Sequence, residues 1–195
     1  NIMMTGGNTP DHLGVLISGS VQNVQFNGIQ MRGVGVTLGA VQVGGGCDAV
    51  IFNNCWIGDF TAINTTAVFY GVGGTACNGG AFKNCTIGFT SAGIPDANCD
   101  YAIDLRSADH SDLHIVGNTL YGAGALYRNV PVTKTRWSVA ANNSRAVTLA
   151  SAAALAFDLY DDGQTILLTG TTTITSVTGL REGQHGFLIA TNATP

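Results

Sequence analysis

Short runs of alternating apolar and polar residues recur along the first two thirds of the chain, and four of them align without gaps. The runs cover residues 24–31, 50–57, 80–87 and 113–120, and their starts are separated by 26, 30 and 33 residues. Alternation with a period of two places every second side chain on the same side of a β-strand. Repeats of about 20–50 residues are typical of solenoids. The pattern therefore predicts coils of β-strand that stack on one another.

Equivalent positions of the four runs carry similar side chains, which would lie above one another in columns if each run belongs to one coil. Neighbouring strands are about 4.8 Å apart, so like side chains would pack on like. Three columns contain apolar or small residues. Their members are Phe26, Phe52, Phe82 and Ile115; Ile29, Cys55, Cys85 and Asn118; and Met31, Ile57, Ile87 and Leu120.

A fourth column combines glycine and asparagine, two residue types that tolerate the left-handed backbone angles of a tight bend. Its members are Gly28, Asn54, Asn84 and Gly117. The sequence thus predicts a bend at one fixed position of every coil.

The predicted fold class is all-β, with two unequal parts and a connection between them. Residues 1–127 are expected to form about four coils of a right-handed parallel β-helix, and residues 128–144 a connection or cap. From Arg145 the alternation resumes, and Asp162-Gly163 between alternating runs is typical of a hairpin. Residues 145–195 are therefore expected to form a small antiparallel β-module. Because the chain starts at Asn1 and stops without a closing element, we expect a truncated piece of a longer protein.

Composition narrows the possible partners. Only 10% of the 195 residues are charged, the formal net charge is −4, and the eight basic residues are scattered. A nucleic-acid partner is not expected, because it requires clustered positive charge. The apolar runs are too short for membrane insertion. The five cysteines lack zinc spacing, and their odd number argues against a complete disulfide framework. A disulfide between Cys47 and Cys77 is geometrically possible, but we prefer free thiols. Neither a metal nor a cofactor is expected.

Two parts of the sequence resemble known families. The segments FKNCTIG and LHIVGNTLYG resemble the strand–turn–strand pattern of the pectate-lyase-like right-handed parallel β-helix superfamily. The segment ILLTGTTTITSVTGLREGQHGFLIA is similar to a module near the C-termini of bacteriophage tail fibre and tailspike proteins. The resemblance implies a homotrimeric virion appendage that is assembled in the host cytoplasm with other tail proteins. It also implies binding, and often cleavage, of a host cell-surface polysaccharide.

The best candidate chemistry lies in the segment IDLRSADHSDLH, residues 103–114. A second predicted strand precedes each later run, and it aligns Asp104 with Gln42 and Phe69 of neighbouring coils. Because Asp104 alternates with the apolar residues Ile103 and Leu105, we expect its side chain to face outward.

Glycan hydrolysis uses two carboxylates, and a lyase needs a basic group near the substrate acid. The candidate catalytic residues are Asp104, Arg106 and Asp109, and the candidate substrate-binding residues are Trp56, Phe69 and His110. The plainer interpretation, which we favour, is that residues 103–114 form a solvated turn, where Asp, Ser and His are common. Trp56 should face outward, where it would stack on a sugar or, as we prefer for a trimer, contact another subunit.

Three functions fit these observations. The first is a structural and receptor-binding part of a phage tailspike or tail fibre. The second is a polysaccharide-degrading hydrolase or lyase that acts on host envelope glycan. The third is a bacterial β-helix adhesin, secreted or attached to the cell surface.

Overall fold

A computed structural model describes residues 2–4, 15–32, 39–63, 65–106, 109–131, 134–140, 142, 147–156, 165–178 and 187–190. These residues contain twenty short β-strands and no helix, and hence no helix long and apolar enough to cross a membrane. In chain order the strands are β1 (Ile2–Met4), β2 (Val15–Ile17), β3 (Gln22–Asn27), β4 (Gln30–Met31), β5 (Val41–Gly44), β6 (Asp48–Asn53), β7 (Trp56–Gly58), β8 (Thr65–Val72), β9 (Ala81–Lys83), β10 (Thr86–Phe89), β11 (Cys99–Asp104), β12 (His114–Val116), β13 (Thr119–Leu120), β14 (Ala125–Arg128), β15 (Ser138–Ala140), β16 (Val147–Ala150), β17 (Ala154–Ala156), β18 (Thr165–Thr169), β19 (Ser176–Thr178) and β20 (Phe187–Ala190).

The first fifteen strands form three sheets that the chain visits in rotation. The first sheet has the order β1-β2-β5-β8-β11-β14, the second β3-β6-β9-β12-β15 and the third β4-β7-β10-β13. All neighbours in these sheets are parallel except β1, which is antiparallel to β2. The all-β prediction is confirmed, and the stacking of parallel sheets is compatible with a parallel β-helix.

The strand register places the predicted aromatic column in line. Phe26 pairs with Phe52, Phe52 with Phe82, and Phe82 with Ile115. The three rings stack at centroid distances of 4.9 and 5.2 Å, and all four side chains are buried. The column continues to Val139 in β15. Stacked aromatic rings therefore form one line of the interior, as the spacing predicts.

The Gly/Asn column also forms as predicted. The φ angles of Gly28, Asn54, Asn84 and Gly117 are 67°, 53°, 52° and 70°. At each of these residues the backbone N–H donates to the carbonyl oxygen of the following turn of chain, at 3.0–3.1 Å. Because the bend repeats in register, the hydrogen-bond ladder runs through it without interruption.

Residues 128–144 contribute more than a connection. The strand β14 pairs with β11 and ends at Arg128, and β15 pairs with β12. The stacking therefore continues beyond the expected boundary at residue 127, because Val139 supplies one more apolar side chain beneath Ile115.

The pairing after residue 145 differs from the antiparallel module predicted. The strands β16, β18 and β20 form one parallel sheet, and β17 pairs in parallel with β19. The expected hairpin at residues 161–163 lies outside the described residues. Parallel neighbours need a long connection, and the segments between these strands are long enough to provide one. The alternating runs therefore pair in parallel with runs further along the chain, and not with the next strand as in a hairpin.

Candidate functional site

The carboxyl end of β11 carries the residue on which the sequence-based site was centred. The register places Asp104 beside Phe69 of β8 on one side and beside Arg128 of β14 on the other. Phe69 in turn pairs with Gln42 of β5. The predicted alignment of Gln42, Phe69 and Asp104 is therefore confirmed, and Arg128 extends it by one strand.

Asp104 is covered rather than open to solvent as expected. Its exposed fraction is 0%. The Asn129 side-chain amide donates to both carboxylate oxygens at 3.0 and 3.1 Å, and the Arg106 backbone N–H donates to Oδ1 at 2.9 Å. The carboxylate is covered because Asn129 and the side chains of Arg106 and Arg128 lie next to it. A carboxylate enclosed in this way anchors its neighbours and does not reach a glycosidic oxygen.

Two arginine side chains lie over this carboxylate. The Nη1 atom of Arg106 is 3.8 Å, and the Nε atom of Arg128 4.0 Å, from the same oxygen, Oδ2 of Asp104. The two side chains are 40% and 50% exposed. Both contacts are longer than a hydrogen bond, so the guanidinium N–H groups are not committed to the carboxylate.

Each guanidinium group lies over an aromatic ring. The Cζ atom of Arg106 is 4.8 Å from the centroid of the Phe69 ring, and that of Arg128 is 4.9 Å from the Tyr101 ring. Cation–π contacts at these distances favour one orientation of the planar group. We call Phe69, Tyr101, Asp104, Arg106 and Arg128 the arginine–aromatic surface. Tyr101 and Arg128 were missed in the sequence, because residues 125–128 were not recognised as the next strand.

His110, a candidate for substrate binding, lies inside the protein. Its exposed fraction is 0%, and its ring lies 4.9 Å from Tyr70 and 6.3 Å from Trp137. The Cys77 backbone N–H donates to Nδ1 at 3.0 Å, and Nε2 lies 2.9 Å from the Leu105 carbonyl oxygen. With Nε2 as the protonated nitrogen, both ring nitrogens are satisfied within the protein, so His110 has no surface to offer a sugar.

Burial of His110 makes stability depend on pH, because it lowers the pKa of the imidazole below its ordinary value. Below about pH 6.5, the unfolded chain binds a proton that the folded chain resists, so stability falls as the pH decreases. We expect urea unfolding to show that stability falls as the pH decreases below about 6.5, by at most about 1.4 kcal/mol per pH unit. In His110→Gln this slope should be reduced.

The matched control is His114→Gln, since His114 is only half-buried on β12. The slope should be reduced more in His110→Gln than in this variant, because of the two histidines only His110 is fully buried. Arg136 lowers the pKa of exposed Asp112, and that carboxylate affects stability only at more acidic pH, below about 4. An unchanged slope in His110→Gln would contradict the prediction.

The other two candidates are not among the residues gathered around Asp104. Asp109 is exposed. Trp56 is in the third sheet, half-buried, with the Arg32 guanidinium carbon 5.1 Å from its ring centroid. Its outward direction agrees with the buried Cys55 and Ile57 on either side.

The five cysteines are all buried free thiols. Burial raises the pKa of Cys77 to about 11 and that of Cys99 to about 12, which favours the protonated form. Among the described residues, no group of three or more His, Cys, Asp or Glu side chains is placed to hold a metal ion.

Comparison with protein-family models, with curated proteins and with solved structures found no match. The resemblance of the repeat and of the C-terminal segment therefore stays a prediction from the sequence.

Proposed function

We propose that the chain belongs to a bacteriophage tailspike or tail fibre, in which a right-handed parallel β-helix recognises a host cell-surface polysaccharide as part of a trimer. The observation that carries the proposal is the arginine–aromatic surface on the first sheet. Its guanidinium groups are exposed, yet held over aromatic rings. Hydroxyl-rich ligands are bound by fixed polar donors beside apolar rings. The resemblance of the C-terminal segment supports the assignment to a phage tail.

The geometry favours binding over cleavage at this surface. A glycosidase places two carboxylates on either side of the scissile bond, and one of them must deliver a proton. Asp104 is enclosed by Asn129 and two arginines, with no exposed area. Cleavage of polysaccharide would therefore need other carboxylates, among which Asp109 is exposed. We assign Asp104 and Arg106 to recognition instead.

A panel of purified bacterial capsular polysaccharides and lipopolysaccharides tests the proposal. We expect the chain to bind at least one immobilised member, and Arg106→Gln to weaken that binding about tenfold, the loss of one charged hydrogen bond. The control is Arg136→Gln, which removes the same charge from another exposed arginine that is also paired with an aspartate. It should bind within about twofold of the wild type.

Light scattering on the same preparation should give a trimer, three times the chain mass of 20.1 kDa. A folded monomer would contradict the trimeric part of the proposal. Failure of the folded protein to bind any polysaccharide would overturn the recognition function itself. Equal losses in both arginine variants would move recognition away from the arginine–aromatic surface.

A further inference from the structure

We propose that the arginine–aromatic surface selects polysaccharides that carry an oxyanion, such as the carboxylate of a sugar acid or a sulfate or phosphate ester. The inference rests on the proposed function, because it names the substrate class of the same surface. Its basis is the state of two particular arginines, Arg106 and Arg128.

The two guanidinium groups converge on one point. A single oxygen, Oδ2 of Asp104, lies 3.8 Å from Arg106 Nη1 and 4.0 Å from Arg128 Nε. Arg106 lies two residues after the end of β11, and Arg128 is the last residue of the neighbouring strand β14, where it pairs with Asp104 in the register. Two cations held this close repel each other unless an anion lies between them. Asp104 supplies one negative charge, so the cluster keeps a net positive charge.

Asp104 acts as a positioning residue and leaves the guanidinium donors free. Its hydrogen bonds come from the Asn129 amide and a backbone N–H. The guanidinium groups are half-exposed and lie at ion-pair distance only. Each planar fork presents several donors that match a carboxylate or an ester oxyanion in pairs. The aromatic rings beneath reduce the orientational freedom that binding would otherwise remove.

A third arginine shows the opposite arrangement. Arg136 donates from Nε and Nη2 to both oxygens of Asp112, at 2.5 and 2.6 Å. Its fork is thus used within the protein. Arg106 and Arg136 both have left-handed backbone angles, with φ of 54° and 55°, and each is paired with an aspartate. Arg106 therefore keeps guanidinium donors for a ligand, whereas Arg136 uses two of its donors in hydrogen bonds to Asp112.

The test compares acidic polysaccharides of the panel with chemically neutralised copies of themselves. Reduction of carboxyl groups to alcohols neutralises the sugar acids, and removal of ester groups with acid neutralises sulfated or phosphorylated chains. Binding by the full chain is measured by biolayer interferometry at two salt concentrations. We expect at least a tenfold loss of affinity on neutralisation, and a weaker affinity at the higher salt concentration.

Arg106→Gln and Arg128→Gln should lose most of this preference for the charged form, and Arg136→Gln should retain it. The neutralisation that removes binding identifies the oxyanion as carboxylate or ester. Equal binding of charged and neutralised polysaccharide would overturn the inference while the proposed recognition function stands. Binding of no polysaccharide by folded protein would overturn both. A preference that persists in Arg106→Gln and Arg128→Gln would also overturn the inference, because the selecting residues would then lie elsewhere.

Discussion

Replacing Phe52 with alanine is expected to lower the free energy of unfolding by about 3–5 kcal/mol. The Phe52 ring lies between those of Phe26 and Phe82, with interplanar angles of only 10° and 2°, and none of it is exposed. Its removal would take away apolar contacts on both sides and leave a cavity between consecutive strands of the second sheet. Parallel strands on either side fix the spacing, so the gap cannot close easily. Urea unfolding followed by circular dichroism measures the loss.

Two further variants separate cavity formation from a general effect of substitution. Phe52→Leu keeps most of the volume and should cost markedly less than the alanine variant. Ile63→Ala deletes an aliphatic side chain that is 76% exposed, and its effect should stay within about 0.5 kcal/mol. If Phe52→Ala were no more harmful than Ile63→Ala, the stacked rings would not be a main source of stability.

The columns of the interior could be predicted because stacking repeats the same environment at every turn of chain. A position that is buried in one turn of chain is buried again in the next. The recurrence of phenylalanine at positions 26, 52 and 82 therefore predicts that all three side chains are buried. The bend at Asn54 and Asn84 follows in the same way, since it needs a residue that accepts left-handed backbone angles.

A second left-handed column escaped prediction because its residues share no chemistry. It lies three residues before the aromatic column and has φ angles of 50–60° except at its glycine, which has 66°. Its members are Asn23, Ala49, Gly79, Asp112 and Arg136. Alanine and arginine pay roughly 1–2 kcal/mol in this conformation. Hydrogen bonds along the stack offset the cost, as where the Ala49 N–H donates to the Asn78 carbonyl at 2.7 Å.

The candidate site residues are buried partly by residues from other strands and turns. The alternation of apolar and polar residues within one strand cannot indicate such contacts. Asp104 is buried because it is covered by Asn129, which follows a strand that the pattern did not indicate. For His110, in contrast, burial could have been predicted from the spacing of the repeats. It lies five residues before Ile115, as Cys47 and Cys77 lie five residues before Phe52 and Phe82. All three of these residues are buried.

After residue 145, local turn chemistry misled the prediction. The Asp-Gly pair suggested a hairpin, yet Val147 pairs in parallel with Ile166, and Ile166 with Leu188. These residues are 19 and 22 apart, a period shorter than that of the first repeats. Alternating apolar and polar residues are compatible with both parallel and antiparallel pairing. The recurrence of the apolar runs at a regular interval is the feature that indicates parallel pairing here.

Replacing Asn118 with leucine, which has a similar shape, is expected to destabilise the protein by about 3–5 kcal/mol. Asn118 is fully buried, and its Oδ1 accepts from the Cys85 backbone N–H at 2.8 Å. Its amide nitrogen donates to the Phe82 carbonyl at 2.9 Å and to Asn142 Oδ1 at 2.8 Å. Leucine would remove the partner of the Cys85 N–H and a donor to the Phe82 carbonyl, at a cost of about 1–3 kcal/mol each, whereas Asn142 Oδ1 would still accept from the Asn118 backbone N–H at 2.9 Å. Chemical denaturation of the two proteins measures the difference.

Asn118→Cys is the informative control, because cysteine occupies the equivalent positions of the two preceding turns. There the thiols of Cys55 and Cys85 lie 3.4 and 3.5 Å from the carbonyl oxygens of Phe26 and Phe52. Cysteine at position 118 can therefore donate to the Phe82 carbonyl, and the variant should be more stable than Asn118→Leu although it fills less volume. The reverse order would mean that volume governs this column. Asparagine and cysteine would then occupy equivalent positions because of their similar size, and not because both donate a hydrogen bond to the preceding turn.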